Sequence, residues 1–453
     1  MTQSPGAGAA PPDCILEGAM GRFRRKACIA LSLFTLFVFG TLVGLKTLKP
    51  SDGDPGPRLR LMPPAEGPDT RRPTPARAIV VLPPTAPGAH PGAPPAANPD
   101  LHIFYYGWFG NPDFDGRFAH WDHPLVPHWD PKVAAGYPKG RHVPPEDIGS
   151  SFYPELGAYS SRDPQVVQEH MKQLRAAAVG VLILSWYPSG VEDDYSDPVD
   201  DLVPSILDAA ESYSLKVTFH ILPYSGRSER SLYENIKYIV DNYGAHSAFY
   251  YYRTSTGRLL PMFYIYDSYL TPPAAWANLF TPSGSTSIRN TQYDGIFIGL
   301  LVEEKHKQDI LESGFDGLYT YFASNGFSFG SSHQNWKAIK TFCDSNNLMF
   351  IPSVGPGYID TRIRPWNNHN TRNRVSGKYY ETTLHAALTV RPEIISITSF
   401  NEWNEGTQIE KAVPKKTAQF TYLDYQPHEP NLYLELTQKW AKHFCKEKEQ
   451  WLM

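Results

Sequence analysis

The sequence contains few cysteines and little charge of either sign, and both shortages exclude whole classes of protein. Four cysteines in 453 residues are too few for a disulfide scaffold. Charged residues make up 19% of the chain and the formal net charge is −4. These values argue against a polybasic nucleic-acid binder and against a highly acidic disordered protein. We therefore expect no nucleic-acid partner.

Two short motifs are also missing. No Asn-x-Ser/Thr sequon follows residue 45, so this part of the chain offers no acceptor for an N-linked glycan. No Gly-x-Gly-x-x-Gly turn follows the first predicted strand, which disfavours an open, doubly wound nucleotide-binding sheet. Proline, with 42 residues, and aromatic side chains, at 13%, are instead abundant.

The prolines are concentrated in residues 46–99, where 15 of them fall between Pro50 and Pro99. Proline fixes φ, and such a stretch cannot bury enough apolar surface to fold. It therefore predicts a disordered stalk. The remaining part, residues 100–453, is long enough for one large catalytic domain.

Residues 27–45 form an apolar run of 19 residues without a charge, preceded by four cationic residues within positions 22–26. As a helix this run would measure about 28 Å, enough to span the hydrocarbon core of a bilayer. Because cationic flanks stay in the cytoplasm, the pattern predicts a single-pass type II signal-anchor with a cytoplasmic tail at residues 1–26. A short span suits a thin early-secretory membrane, and a cleaved signal peptide is the alternative. The lumenal part would contain Cys343 and Cys445, either bonded or both unpaired.

From residue 100 onward, short β-branched and aromatic runs alternate with helical patterns. One helix is predicted to begin at Asp163-Pro164, because apolar residues follow it at i, i+3, i+4 spacing. Eight strands alternating with helices predict a (β/α)8 TIM barrel, with an open doubly wound sheet as the rival. The eight predicted strands cover residues 102–109, 180–187, 215–224, 262–267, 294–301, 314–323, 348–358 and 394–403.

Strand alternation then indicates where the site lies, because the C-terminal strand ends of such a barrel carry the chemistry. Polar and aromatic side chains are expected to collect at that mouth. The predicted shared faces are His102, Phe104, Tyr106 and Trp108 in the first strand; Leu182, Leu184 and Trp186 in the second; His220, Leu222 and Tyr224 in the third; and Ser396, Thr398, Phe400 and Glu402 in the eighth.

The strongest catalytic motif follows the last apolar strand, where Glu402 and Glu405 are three residues apart and flank Trp403. A turn brings such a pair to the same side. Two carboxylates in one cleft are what glycosidic cleavage needs, since one accepts a proton and the other delivers one to the leaving oxygen. A solvated acidic loop is the alternative interpretation.

Two other candidate sites compete with this pair. The Asp-x-Asp at residues 113–115 matches a motif of metal-dependent glycosyltransferases, which are often type II Golgi proteins. His120, His123 and His128 have the residue type of metal ligands but alternate with Trp and Pro in a loop. Both patterns are short enough to arise by chance.

Several longer motifs accompany the carboxylate pair. They are Trp121-Asp122-His123-Pro124, Pro127-His128-Trp129, Tyr153-Pro154-Glu155-Leu156-Gly157, Tyr159-Ser160-Ser161-Arg162-Asp163-Pro164 and Ser353-Val354-Gly355-Pro356-Gly357-Tyr358-Ile359-Asp360. With these motifs the chain resembles the endo-α-1,2-mannosidases of glycoside hydrolase family 99, and within them the vertebrate endomannosidase-like paralogues. The resemblance runs from about residue 101 to about residue 440, and the anchor and stalk fit the family's Golgi membrane members.

This resemblance implies a barrel without metal or other cofactor and a retaining hydrolase. Its substrate would be a glucosylated high-mannose N-glycan, cut at an internal α-1,2-mannosidic bond to release a glucosyl-mannose. Glu402 stands where the family has its base and Glu405 where it has its acid/base. In the family's proposed mechanism the 2-hydroxyl, deprotonated by Glu402, attacks C1 to give a 1,2-anhydro sugar. Glu405 protonates the leaving oxygen and then activates water; a direct nucleophile at Glu402 is the alternative.

Other positions match the family less directly. Trp186 corresponds to an aromatic platform under the glucose-side sugar, which is physically reasonable for a flat ring. Tyr106 and Tyr321 match tyrosines near the reacting mannose, where a phenol can hydrogen-bond a sugar hydroxyl. We add Tyr224 and Asn401 as candidate substrate-binding residues, because they flank the same predicted mouth.

The chain departs from the family pattern at two positions. Leu222 stands where the family usually has Glu, and Asn404 where it usually has His. The acidic segment at residues 192–201 resembles the family's mobile segment over the outer sugar. Two functions therefore remain open: an active endo-α-mannosidase, and a catalytically weakened paralogue that binds glucosylated glycans. A glycosyltransferase is a third, weaker alternative.

Overall fold

The computed structural model describes residues 95–191 and 199–452. The predicted cytoplasmic tail, the predicted anchor and the predicted stalk up to residue 94 lie outside the described residues. Within the part that is described, no helix combines the length and the apolar character needed to cross a bilayer. The first strand begins at Asn98, two residues inside the predicted stalk.

Nine parallel strands form a nearly closed barrel. Their order is β8-β7-β6-β5-β3-β2-β1-β10-β9, and β4 pairs antiparallel with β5 outside this path. The strands are β1 (Asn98–Tyr105), β2 (Val179–Trp186), β3 (Lys216–Ile221), β4 (Tyr251–Arg253), β5 (Leu259–Ile265), β6 (Ile296–Leu300), β7 (Gly317–Tyr319), β8 (Met349–Ile351), β9 (Ser353–Val354) and β10 (Ile395–Ile397).

The two ends of this strand order meet around Pro352. β8 pairs with β7, whereas β9, which follows β8 after Pro352, pairs with β10. The N–H of Ser396 also donates to the carbonyl of Pro352 at 3.1 Å. If β8 and β9 are counted as one interrupted strand, the barrel has eight parallel strands, which is consistent with the predicted (β/α)8 barrel.

Helices separate most of the strands, as expected for βα units. The helix predicted at Asp163-Pro164 is confirmed: Asp163 caps it by accepting a hydrogen bond from the N–H of Gln165 at 2.8 Å. The α-helices are Pro112–Asp115, Pro131–Ala134, Pro164–Ala176, Val203–Ser212, Glu229–Tyr243, Pro273–Phe280, His306–Ser313, Trp336–Ser345, Lys378–Thr389 and Leu432–Leu452. The 3-10 turns are Asp200–Leu202, Ser268–Leu270, His333–Asn335, Asn368–Asn370 and Trp403–Glu405.

Aromatic side chains fill the barrel interior. The ring of Phe104 lies 4.7 Å from that of His220 and 5.1 Å from that of Tyr321. His102 bonds the hydroxyl of Tyr264 at 2.8 Å from the same face of β1. The interior positions expected from alternation in β1, and His220 in β3, are confirmed.

Alternation was wrong for the second and eighth strands. In β2, Ser185 lies inside, 3.4 Å from His220, so Trp186 lies on the opposite face. After β10, which ends at Ile397, Phe400 leaves the interior and packs 5.0 Å from the ring of His170 on helix Pro164–Ala176. For Phe400 the physical reason is that alternation holds only while the backbone stays in a regular strand. In β2 every residue is buried, so the sequence pattern does not distinguish its two faces.

The two described cysteines are not joined. Cys343 is buried, Cys445 is exposed, and both are free. Of the two arrangements compatible with the sequence, the structure therefore has the unpaired one.

Candidate active site

The two glutamates lie on a tight loop at the barrel mouth. Glu402 caps the 3-10 turn Trp403–Glu405: its Oε1 accepts from the N–H of Asn404 at 3.1 Å. Its own N–H donates to Ser399 Oγ at 2.8 Å. Gly406 ends the turn at φ 61°, where a Cβ would meet Ile359 Cγ2 at 2.6 Å. Glycine is therefore required at this point, because only it combines the left-handed backbone with the close approach.

Burial and charge both act on this pair. Burial raises the pKa of Glu402 well above its usual range, and the neighbouring Glu405 raises it further. The pKa of Glu405 is also raised, again first by burial, while Arg364 opposes the rise. Two adjacent carboxyls in a dry site cannot both ionise easily. The pair therefore tends to retain one proton, as an acid–base pair requires.

Arg364 and Asp360 orient Glu405, although neither was assigned a role from the sequence. Arg364 Nη1 lies 3.1 Å from Asp360 Oδ2 and 3.4 Å from Glu405 Oε1. The same Asp360 oxygen accepts from Tyr358 at 2.9 Å and from Asn367 at 2.9 Å. Asp360 ends one of the long family motifs, whereas nothing in the sequence marked Arg364.

Tyr106 and Tyr321 meet beside the pair, as expected for two residues near the same sugar. Their hydroxyls are 2.5 Å apart. Burial raises the pKa of both well above the usual range, and the charges of Glu402 and Glu405 add to the effect. Both phenols therefore stay neutral and keep a proton to donate. Tyr321 is held at φ 54°, a strained backbone conformation of the kind that concentrates at functional sites.

Asn401 holds the site together from behind and has no free amide group. Its Oδ1 accepts from the N–H of Tyr106 at 2.8 Å, and its Nδ2 donates to the carbonyl of Tyr106 at 2.9 Å. The side chain is fully buried. Its arrangement supports positioning of Tyr106 and gives no support to the predicted direct contact with substrate.

Glu410 is the hub of a buried network under the loop, and its role was not recognised from the sequence. Its Oε2 accepts from Trp403 Nε1 at 2.9 Å and from the hydroxyl of Tyr159 at 2.9 Å. Its Oε1 lies 3.1 Å from His170 Nε2, and His170 Nδ1 lies 2.9 Å from the hydroxyl of Tyr105. Because Trp403 stands between the two glutamates, Glu410 fixes the loop that presents them.

We expect Glu410→Leu to lower the free energy of unfolding by about 1–3 kcal/mol, because it leaves buried donors without an acceptor. Glu410→Gln is the matched variant: its oxygen can still accept from Trp403 and Tyr159, while its amide faces His170. It should lose less. Urea unfolding of the three proteins measures both effects, and equal stability of Glu410→Leu and wild type would contradict the assigned role.

The structure does not bring Trp186 or Tyr224 to this pair. The Trp186 indole is fully buried, with Nε1 donating to Asp200 Oδ1 at 2.8 Å. The hydroxyl of Tyr224 donates to Ser231 Oγ at 2.8 Å and accepts from Asn235. Both side chains are thus engaged with the layer around helix Glu229–Tyr243. Their roles in substrate binding stay predictions that these contacts do not support.

The two departures from the family pattern lie in different surroundings, and only Asn404 contacts one of the two glutamates. Leu222 directly follows β3 and is 7% exposed, with its N–H donating to the carbonyl of Trp186 at 3.1 Å. Asn404 Nδ2 donates to the carbonyls of His120 at 3.2 Å and Gly149 at 2.9 Å. Asn404 therefore ties the loop of Glu402 and Glu405 to the segment after β1.

The acidic segment at residues 192–201 is described only from residue 199, and 192–198 lie outside the described residues. Asp200 accepts from Trp186, Ser189 and Tyr238. Asp201 pairs with Arg162 at 2.8 Å. In the part that is described, the acidic side chains therefore serve internal contacts.

Neither metal motif has the arrangement of a metal site. Asp115 accepts from the N–H of Asn111 at 2.8 Å and pairs with Arg162 at 3.2 Å. His120 stacks on Trp108, with ring centroids 4.4 Å apart. His128 stacks on Trp129 at 3.7 Å.

One other group among the described residues, Asp208, Glu211 and His246, has its potential ligand atoms within 4.8 Å of one another. His246 Nδ1 accepts from the N–H of Ala248 at 3.0 Å, so a neutral imidazole carries its proton on Nε2, which faces Asp208 at 3.1 Å. A protonated nitrogen has no lone pair for a metal. The observed hydrogen bonds therefore compete with metal binding.

The pKa of Glu402 also makes stability depend on pH. Because its pKa is raised in the folded state, the contribution of Glu402 to the free energy of unfolding is fully present below its unfolded-state pKa. That contribution is lost as pH rises through its folded-state pKa. We expect Glu402→Gln, which cannot ionise, to be more stable than wild type at pH 8. The difference should shrink towards pH 4. Urea unfolding at the two pH values tests this, and a difference independent of pH would refute it.

Comparison with known proteins finds a matching family model and similar sequences. The family model "Glycosyl hydrolase family 99" matches residues 96–446. The chain is 66% identical to a human protein named glycoprotein endo-alpha-1,2-mannosidase-like protein, over 96% of this chain and 100% of the relative. It is 60% identical to the mouse glycoprotein endo-alpha-1,2-mannosidase, over 95% and 97% respectively.

A solved structure is similar as well. The family 99 endo-alpha-mannosidase from Bacteroides thetaiotaomicron superposes with a TM-score of 0.72 and 46% identity, covering 78% of this chain and 100% of the bacterial one.

Proposed function

Because the chain belongs to glycoside hydrolase family 99, we propose that it is a retaining endo-α-1,2-mannosidase. Its substrate would be a glucosylated high-mannose N-glycan, from which it releases a glucosyl-mannose. The observation that carries this proposal is the pair Glu402 and Glu405 on one buried loop, both with a raised pKa. Two carboxyls that share a proton beside two neutral phenols form an acid–base site for glycoside cleavage.

The chemistry would proceed through neighbouring-group participation. In an α-mannoside the axial 2-hydroxyl is trans to the leaving group. Glu402 removes its proton, the oxygen attacks C1, and a 1,2-anhydro sugar forms as the C1–oxygen bond to the leaving group breaks. Glu405 protonates that departing oxygen and, now ionised, takes a proton from the water that attacks C1. The C1–O2 bond of the epoxide breaks, and Glu402 returns its proton to O2. Two inversions at C1 give net retention of the anomer.

Substrate binding would set the protonation states that this sequence of steps requires. In the free protein, Arg364 opposes the rise in pKa at Glu405, whereas Glu405 adds to the rise at Glu402. The proton therefore favours Glu402. A sugar 2-hydroxyl that donates to Glu402 stabilises its ionised form, so the proton moves to Glu405. Arg364, 3.4 Å away, then supports Glu405 each time it becomes ionised.

A product assay tests the proposed reaction. The purified protein is incubated with a glucosylated high-mannose glycan, and the released oligosaccharide is identified by mass and by the anomer first formed. A glucosyl-mannose disaccharide of α configuration is expected. Release of free glucose, or an initial β anomer, would reject the proposal.

The second candidate function is a glycan-binding paralogue with weakened catalysis. It is favoured by Leu222, a buried aliphatic residue that directly follows β3. Such a protein would bind the glucosylated glycan in a calorimetric titration while releasing no disaccharide. Because Glu402 and Glu405 are both present and oriented, the enzymatic function remains our proposal.

The apolar run at residues 27–45 and its cationic flank support a further proposal, that the protein is a type II Golgi membrane protein with a lumenal catalytic domain. Protease added to sealed microsomes should then spare residues 100–453. Adding detergent should abolish the protection, which serves as the control. Digestion of the catalytic domain in intact microsomes would refute the orientation.

A further inference from the structure

Three buried polar atoms beside the catalytic loop have no hydrogen-bond partner: Trp108 Nε1, His120 Nε2 and Asn404 Oδ1. The rings of Trp108 and His120 are parallel within 6° and their centroids are 4.4 Å apart. Asn404 Nδ2 donates to the carbonyl of His120 at 3.2 Å. The three residues therefore form one cluster, which we call the Trp108 cluster.

The Trp108 cluster adjoins the reacting groups. The N–H of Asn404 donates to Glu402 Oε1 at 3.1 Å. The Trp108 ring lies 4.6 Å from that of Tyr106, whose hydroxyl contacts Tyr321. The cluster is thus connected to the catalytic carboxylate on one side and to the two phenols on the other. Trp108 is only half-buried as a residue, although its Nε1 atom is itself buried.

Unpartnered polar atoms at such a place are unusual. Buried polar groups are paired in more than about 90% of cases, so three unpartnered atoms within one cluster stand out. Asn401, three residues before Asn404, has both ends of its amide satisfied. The loop can therefore satisfy its amides, and the open positions at the Trp108 cluster indicate groups that a ligand completes.

The chemistry of the three atoms defines that ligand. The indole N–H of Trp108 only donates and the amide oxygen of Asn404 only accepts, while a neutral imidazole nitrogen does either. Burial lowers the pKa of His120 well below its usual range, so the ring is neutral. An ionised carboxylate could not donate to Asn404, and an ammonium could not accept from Trp108. A hydroxyl group does both.

We propose that Trp108, His120 and Asn404 form a saccharide subsite that binds one hydroxyl of the glycan next to the reacting mannose. The proposal rests on the proposed function, because it assumes a saccharide in the cleft. The faces of the Trp108 ring are covered by neighbouring rings, so recognition here is by hydrogen bonds and not by stacking. The hydroxyl comes either from the glucosyl-mannose half or from the mannose that leaves.

Titration with the two halves of the substrate separates these sources without requiring turnover. The full chain in detergent is titrated with glucosyl-mannose and, separately, with the trimmed oligomannose glycan. Trp108→Phe keeps the ring and removes the donor. We expect its Kd to weaken by about 2- to 10-fold for one of the two saccharides, the equivalent of a hydrogen bond of about 0.5–1.5 kcal/mol. The affected saccharide identifies the source.

Two controls make the outcome decisive. Trp440→Phe removes an indole whose Nε1 donates to Glu381 on the outer helices at 3.3 Å, and it should leave both Kd values unchanged. The wild-type protein is also titrated with monodeoxy saccharides, which needs no variant to fold: one of them should bind 2- to 10-fold more weakly, and Trp108→Phe should not distinguish it from the parent sugar.

Unchanged Kd values for Trp108→Phe would overturn the subsite, and ordered water would then bind the three atoms. If Trp108→Phe fails to fold, His120→Phe takes its place in the same titration. Wild-type protein that binds neither saccharide would contradict the subsite and the proposed function together. The two failures are therefore distinguishable.

Discussion

Turnover of a glucosylated mannose substrate is expected to fall by at least about a hundredfold in Glu405→Gln, the scale of general acid–base catalysis. Glutamine has nearly the same shape but can neither deliver nor accept the proton of the leaving oxygen. The side chain is 25% exposed and its main contact is Arg364, which a glutamine oxygen can still accept from. Binding and folding should therefore survive, so kcat falls while KM changes little.

Glu402→Gln should cause a loss of similar size for a different reason, because it removes the base that activates the 2-hydroxyl. Its carbonyl oxygen can still accept from the N–H of Asn404, as Glu402 Oε1 does at 3.1 Å, so the loop should remain intact. Steady-state kinetics on the same glycan measure both variants.

Glu381→Gln provides the matched control for both substitutions. Glu381 pairs with Lys439 at 2.5 Å and accepts from Trp440 Nε1 at 3.3 Å, both on the C-terminal helix, so its loss should leave turnover unchanged. Full activity of Glu405→Gln would remove the assignment of the acid/base. A loss only in Glu402→Gln would instead favour a mechanism in which Glu402 acts on the sugar and the departing oxygen needs no protonation by Glu405.

Most of the barrel could be predicted from the sequence because each strand and the helix after it form a local pattern. A run of β-branched and aromatic residues followed by a capped helix repeats along the chain, and Asp163 marks one helix start correctly. Alternation could not decide which face of a fully buried strand points into the barrel. In β2 every residue is buried, so both faces look apolar, and the choice of the face of Trp186 as the interior one was wrong.

That the two candidate glutamates lie close together was predictable because both lie on one short segment. Their supporting groups were not, because those contacts join distant parts of the chain. Arg364 reaches Glu405 across 41 positions, and His170 reaches Glu410 across 240. No local pattern encodes such pairs, since they depend on how the loops meet above the closed barrel.

Contacts between distant parts of the chain also explain why the predicted sugar-contacting residues differ in how well the structure supports them. Tyr106 and Tyr321 were matched to the family individually, and the structure joins them at 2.5 Å. Asn401 was chosen for its position next to Glu402, but its amide is consumed by the backbone of Tyr106. Proximity in sequence predicted the location of Asn401 and not the direction of its side chain.

Leu222→Glu is expected to raise kcat/KM on a glucosylated mannose substrate by up to about two orders of magnitude. Leu222 follows β3 directly and lies two residues after His220, which points into the barrel. Leu222 is 7% exposed. Leucine can neither accept a hydrogen bond from a sugar hydroxyl nor influence a neighbouring carboxyl. A hydrogen bond to a charged acceptor contributes about 1.5–3 kcal/mol, and each 1.4 kcal/mol corresponds to about tenfold in rate.

Leu222→Gln separates charge from hydrogen bonding, because it supplies a neutral acceptor of the same length. If the missing group is a polar sugar contact, Leu222→Gln should recover part of the gain, about 0.5–1.5 kcal/mol or roughly 2- to 10-fold. If the missing group acts through its charge on the catalytic pair, only Leu222→Glu should gain, and its pH–rate profile should shift. Folded variants with unchanged activity and product would make Leu222 an ordinary packing residue, and Asn404→His would then be the substitution that tests whether the loop itself limits turnover.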